Sequence, residues 1–230
     1  MFFDPLYLVI MGVGLVLSLG AQAWVKASVG KWKQVALRRG ITGRDVAQAI
    51  LDVEGIRDVR IEQVEGFLSD HYDPTHKVLR LSPDNYHGHS VAAAGIAAHE
   101  VGHAIQDKVG YGPMRIRQAV VPLANIGTNI GVWMVIIGAA VGLAGVAKIG
   151  VLLFAGFVAF TLVTLPVEID ASNRAKRALA AGGFLDRQES AGVNAVLTAA
   201  AATYVAAAVT AVLQLLYFML RAGMLGRSDD

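Results

Sequence analysis

Apolar residues in this chain gather into four long runs, over residues 5–25, 120–145, 149–167 and 193–220. Each is about as long as the roughly 20 residues that a membrane-crossing helix needs. Between the first and second runs lies a polar stretch, about 26–118, which carries most of the charges and all six histidines. The alternation predicts a membrane α-helical protein with about four transmembrane helices, and one small water-facing domain between the first and second of them.

Within the polar stretch, Thr42 and Asp45 have the spacing of an N-cap with a variant capping box, and Val46, Ala49, Ile50 and Val53 then share a helical face. Gly55 suits that helix's end. Residues 58–65 and 77–81 alternate with period two, predicting two short strands that turn near Asp73-Pro74. Pro83-Asp84-Asn85 breaks the chain. Ser90 then suits the N-cap of a helix over about 91–109, which Gly110 and Gly112-Pro113 stop. After the third apolar run, residues 168–181 read as helix up to Gly182-Gly183, and Asp186 with Glu189 forms a second capping-box start. The expected organisation is a transmembrane anchor (1–25), a polar region that includes the 91–109 helix (26–118), a transmembrane hairpin (119–167), a further water-facing helix (168–192), a last transmembrane helix (193–221) and a tail (222–230).

Composition agrees with a membrane protein: 55% of the 230 residues are apolar, 17% are charged, and the mean hydropathy is +0.52. The first run is not followed as a signal peptide would be. Asp4 precedes it, whereas Lys26, Lys31, Lys33, Arg38 and Arg39 come after it. By the positive-inside rule this is an uncleaved anchor with its N-terminus outside and the 26–118 domain in the cytoplasm. The same rule returns Arg174, Lys176, Arg177 and Arg187 to the inner side, with Arg221 and Arg227 dissenting mildly at the tail. A net charge of +2, with no basic stripe interleaved with aromatics, gives no reason to expect a nucleic-acid partner. The partner these patterns imply is the lipid bilayer.

Chemistry concentrates at His99-Glu100-Val101-Gly102-His103. Two imidazoles four residues apart on a helix share one face and can converge on a metal ion, and a glutamate beside them can serve as general base. The chain has no cysteine, so any metal must be held by His, Asp or Glu. A catalytic zinc site wants three protein ligands and an open position, so two histidines need a third partner. Glu168, in Leu165-Pro166-Val167-Glu168, lies at the inner end of the third run, where the topology also places the motif; Asp170 is its rival.

Together with Thr42-Gly43, Ser69-Asp70-His71-Tyr72-Asp73-Pro74, Leu79-Arg80-Leu81-Ser82 and Ala97-Ala98 ahead of the motif and Ala104-Ile105-Gln106 after it, these residues carry a resemblance to the YugP-type zinc membrane metallopeptidases. That family is similar to the gluzincins of the HtpX and CAAX-prenyl protease kind, and the resemblance covers nearly the whole chain. It implies a small α+β zincin-like domain on the cytoplasmic side carrying the motif helix, Zn2+ bound by His99, His103 and Glu168, Glu100 as general base, a peptide or membrane-protein substrate, and a bacterial inner membrane location. One position departs from the HtpX-like pattern: where an aspartate would follow the ligand glutamate by four residues and support a histidine, this chain has Ser172, with Asp170 nearby.

Simpler readings compete for other residues. His71, His76, His87 and His89 sit in turn-like surroundings and are expected at the surface. Arg174 could stabilise an oxyanion, but topology alone explains a cation there. Asn125, Thr128 and Asn129 are expected to bond between or along helices, and Gly138 with Gly142 offers a small-residue surface for packing within one bundle or between subunits. Residues 77–81 could form an edge strand that pairs with an extended substrate, or a strand of the core sheet. Besides a membrane zinc endopeptidase, the sequence admits a site-2-type intramembrane protease and a non-catalytic membrane adaptor that keeps the motif helix for structure.

Overall fold

The computed structural model describes residues 4–66 and 69–225, so Arg227 and most of the predicted tail lie outside the described residues. Its elements, in order, are α1 (Pro5–Lys33), α2 (Gly43–Val53), β1 (Arg60–Gln63), β2 (His71–Asp73), β3 (Val78–Leu81), α3 (Pro83–Tyr86), α4 (Val91–Lys108), α5 (Gly112–Ile126), α6 (Val132–Ala140), α7 (Ala144–Ala181) and α8 (Arg187–Arg221). A π-helical turn, Gly127–Gly131, joins α5 to α6. Four helices are long and apolar enough to cross a membrane: Pro5–Lys33, Gly112–Ala140, Ala144–Ala181 and Arg187–Arg221. Three of them extend past their apolar runs, whereas Gly112–Ala140 starts ahead of its run and stops short of the run's end at residue 145. α7 also continues through Pro166, whose missing N–H does not end it.

The chain forms two compact units. One comprises Met1–Ala21, Gly112–Pro166 and Thr203–Asp230. Its core holds Val135, Ala147, Val151, Phe154, Tyr217 and Phe218. Small residues let its helices approach closely: a methyl added at Gly138 would lie 2.6 Å from the Ala147 backbone nitrogen, and one at Gly150 would lie 2.6 Å from the Gly131 carbonyl oxygen. Gly138 therefore serves packing within the chain, whereas Gly142 sits in the turn before α7 with φ +74°. Asn129 donates to the Asn125 carbonyl and Thr128 to that of Ala124, so both amend their own helix. The Asp4 carboxylate accepts from the Tyr217 hydroxyl and pairs with Arg221 at 3.5 Å. The cationic residue that dissented from the topology is thus charge-balanced by the acidic residue preceding α1.

The other unit, Gln22–Tyr111 with Val167–Ala202, holds the polar elements. Its helix starts form as the spacing predicts. Thr42 and Asp45 exchange both capping-box bonds, Ser90 accepts from the Ala93 N–H, and Asp186 and Glu189 cap one another. Reciprocal bonding to Thr42 holds the Asp45 carboxyl below its ordinary range. Gly55, at φ +64°, follows the C-cap of α2.

The sheet departs from expectation. It has three strands in the order β1-β3-β2, with β1 parallel and β2 antiparallel to β3. β2 carries a single buried apolar residue, Tyr72, in three positions, too short a segment to show alternation. β3 is consequently the central strand and not an edge, which settles residues 77–81 as core sheet: Val78, Leu79 and Leu81 are buried. The edges belong to β1 and β2. Tyr72 donates its hydroxyl to Asp107 on α4, and Lys77 pairs with the same carboxylate at 2.5 Å, tying the β2–β3 hairpin to the motif helix. Burial and that acidic partner push the Tyr72 phenol well above its ordinary value.

Candidate metal centre

The centre is built where α4 meets α7. α4 is almost wholly buried, because alanines and glycines on all sides let neighbouring elements close on it. Gly102 is one of these points of closure. A methyl there would overlap the Ala171 carbonyl and lie 3.0 Å from its carbon, so the glycine admits the α7 backbone itself. Gly95 does likewise on another face of α4, where a methyl would meet Val193 of α8 at 3.3 Å.

With the helices this close, Glu168 reaches both imidazoles. Its Oε2 lies 3.2 Å from His99 Nε2 and 3.6 Å from His103 Nε2. The two rings stand edge-to-face with centroids 4.9 Å apart. One ligand atom from each of His99, His103 and Glu168 falls within 4.8 Å of the others, and this is the group of three or more potential ligands found among the described residues. Two imidazoles and a carboxylate, with no thiolate in the chain, fit a zinc ion that keeps a coordination position open. The Glu168 side chain is only 3% exposed, and an acid so deeply buried needs positive partners. Glu100, 8% exposed, lies in the same helix between the two histidines.

Burial disfavours a charged His103, yet the facing Glu168 carboxylate and nearby Glu100 outweigh it, so the imidazole sits above its ordinary value near 6.5.

Both histidines are oriented from behind. His103 Nδ1 lies 2.9 Å from Gln106 Oε1, and the Gln106 amide nitrogen donates to the Val167 carbonyl at 2.7 Å and to Asp170 at 2.9 Å. Asp170 in turn accepts from Arg174 at 2.6 Å, and the Arg174 guanidinium rests 5.7 Å from the Tyr111 ring. Ser172 Oγ lies 3.1 Å from His99 Nδ1. The position that departs from the related pattern therefore keeps its place behind a histidine, with a hydroxyl in place of a carboxylate. Asp170, the rival ligand, stands behind Gln106 and outside the three-residue cluster. Gln106 itself drew no role from the sequence, although its i+3 spacing from His103 puts it on the same helical face.

The remaining histidines are surface groups with local partners: His71 with Ser69 and Arg80, His76 with Asp73, His87 with Gln63 and His89 with Gly40. Asp73 is held far below the carboxylate range by its bond to His76.

Residues 7–223 match a family model described as "Putative neutral zinc metallopeptidase". A curated relative, "Putative membrane protease YugP" of Bacillus subtilis (strain 168), is 42% identical over 215 residues, covering 94% of this chain and 95% of the relative. No solved structure matches the chain. A metal-ligand cluster between two helices and a family match over nearly the full length lead to one conclusion, that this chain belongs to that neutral zinc metallopeptidase family.

Proposed function

We propose that the protein is a membrane-embedded zinc metalloendopeptidase that hydrolyses peptide bonds near the cytoplasmic face of the bacterial inner membrane. The observation that carries this reading is the convergence of His99, His103 and Glu168 on one point, with Glu100 buried in the same helix. The small sheet packed with α4 is consistent with a zincin-like α+β unit, and its outer strand β2, bonded to the end of α4 through Tyr72, is an edge an extended substrate could join.

His99, His103 and Glu168 would hold the ion, which supplies a Lewis acid to polarise the scissile carbonyl and lowers the pKa of a water beside it. Glu100 takes that water's proton onto its carboxylate and delivers it to the departing amine. Gln106 and Ser172 keep the imidazoles in place through the cycle. Burial of α4 limits stray water around the reacting groups.

Purified Glu100→Gln should retain stoichiometric zinc while peptide cleavage falls by about 10²–10⁴-fold. Undiminished cleavage would remove Glu100 from the mechanism. A Glu100→Gln, His103→Ala double variant that fully supports function in cells would favour the adaptor reading. α4 is not among the four apolar helices long enough to cross a membrane, which weighs against an intramembrane protease.

A further inference from the structure

Gln106 is fully buried, and both ends of its amide are committed. The nitrogen end faces two groups that can only accept, the Val167 carbonyl and the Asp170 carboxylate, so it must be the NH2 that points there. The Asp170 carboxylate also accepts from the Arg174 guanidinium at 2.6 Å. The oxygen end is thereby turned toward His103, where it can only accept. In its neutral form, the one that can bind a metal, His103 must then carry its hydrogen on Nδ1 and leave Nε2, the nitrogen facing Glu168, with a free lone pair. His99 has no such constraint, because the Ser172 hydroxyl can either donate or accept.

We propose that Gln106 is a positioning residue that fixes the tautomer of His103 and, through Val167, the placement of Glu168 one residue further along α7. One side chain on α4 thus sets a ligand on each helix, ordered by the sequence Arg174, Asp170, Gln106, His103. The inference rests on the zinc reading above. It adds that the two histidines are held unequally, His103 by a one-way amide and His99 by an adaptable hydroxyl.

The test measures zinc dissociation constants by chelator competition in detergent, for wild type, His103→Ala, Gln106→Met and Gln106→Glu, together with thermal unfolding of each protein without metal. The methionine variant preserves volume but has no amide, whereas the glutamate variant keeps an acceptor for His103 and loses the donor to α7. Cobalt-substituted proteins add a visible spectrum that reports ligand geometry independently of activity. The expected result is a 10–100-fold weaker zinc affinity and an altered cobalt spectrum for Gln106→Met, and a loss of affinity in Gln106→Glu as well, because its carboxylate would face the Val167 carbonyl and the Asp170 carboxylate with no hydrogen to give. Wild-type affinity and an unchanged spectrum in Gln106→Met overturn the proposal. So does a Gln106→Glu variant that folds and binds zinc as tightly as the wild type, and this arm decides the matter if the methionine variant does not fold. Failure of the wild type to bind zinc would instead strike the zinc reading itself.

Discussion

Gly102 lies between the two histidines of the cluster and has no side chain, yet few residues constrain the centre more. The α7 backbone at Ala171 occupies the volume its methyl would take. Gly102→Ala should therefore force the two helices apart, lowering stability by about 1–3 kcal/mol and weakening zinc binding with it; denaturant unfolding and chelator competition read both. His103 offers a pH test. With its proton held above the ordinary value, metal-free protein gains stability from this group at pH below about 6.5 and loses it as pH rises through the raised value. Zinc needs the neutral ring, so its affinity should run the other way, falling on acidification. The gain in unfolding temperature on adding zinc should thus be larger at pH 8 than at pH 6. A gain independent of pH would contradict the His103 assignment. That His99, His103 and Glu168 would meet was legible in the sequence, because helical spacing and a lone carboxylate at the end of an apolar run are written locally. The roles of Gln106 and Ser172 were not, since each depends on which turn of α7 docks on α4, a property of the pair of helices.

At the level of elements, caps and apolar runs translated directly into structure, because both are satisfied by near neighbours in sequence. Thr42→Ala should cost about 1 kcal/mol, as the Asp45 N–H loses its acceptor and the reciprocal bond loses its geometry; urea unfolding of the variant measures it. The sheet was only half legible. β1 and β3 announced themselves by alternation, but their parallel pairing and the insertion of β2 at the other side of β3 are long-range outcomes. In α7, Pro166 and the change from apolar to charged residues suggest a boundary between a span and a separate helix. The structure keeps 38 residues in one helix across that point.

For the whole molecule, the orientation in the membrane is the consequence most open to direct trial. A cysteine-free chain accepts single cysteine labels without background. Thr75→Cys, beside the β2–β3 turn, should react with a membrane-impermeant maleimide only when the cytoplasmic face is opened, and Ala144→Cys, at the start of α7, only from outside. The reverse pattern would invert the proposed topology and carry the centre to the other face. The same lack of cysteine gives the ion a mechanical meaning. His99 and Glu168 are 69 positions apart, and coordination there would close a long loop that no disulfide can close. Chelation should then work like cutting a suture, lowering the melting temperature and opening the backbone around residue 168 to proteases before any other region of the chain gives way.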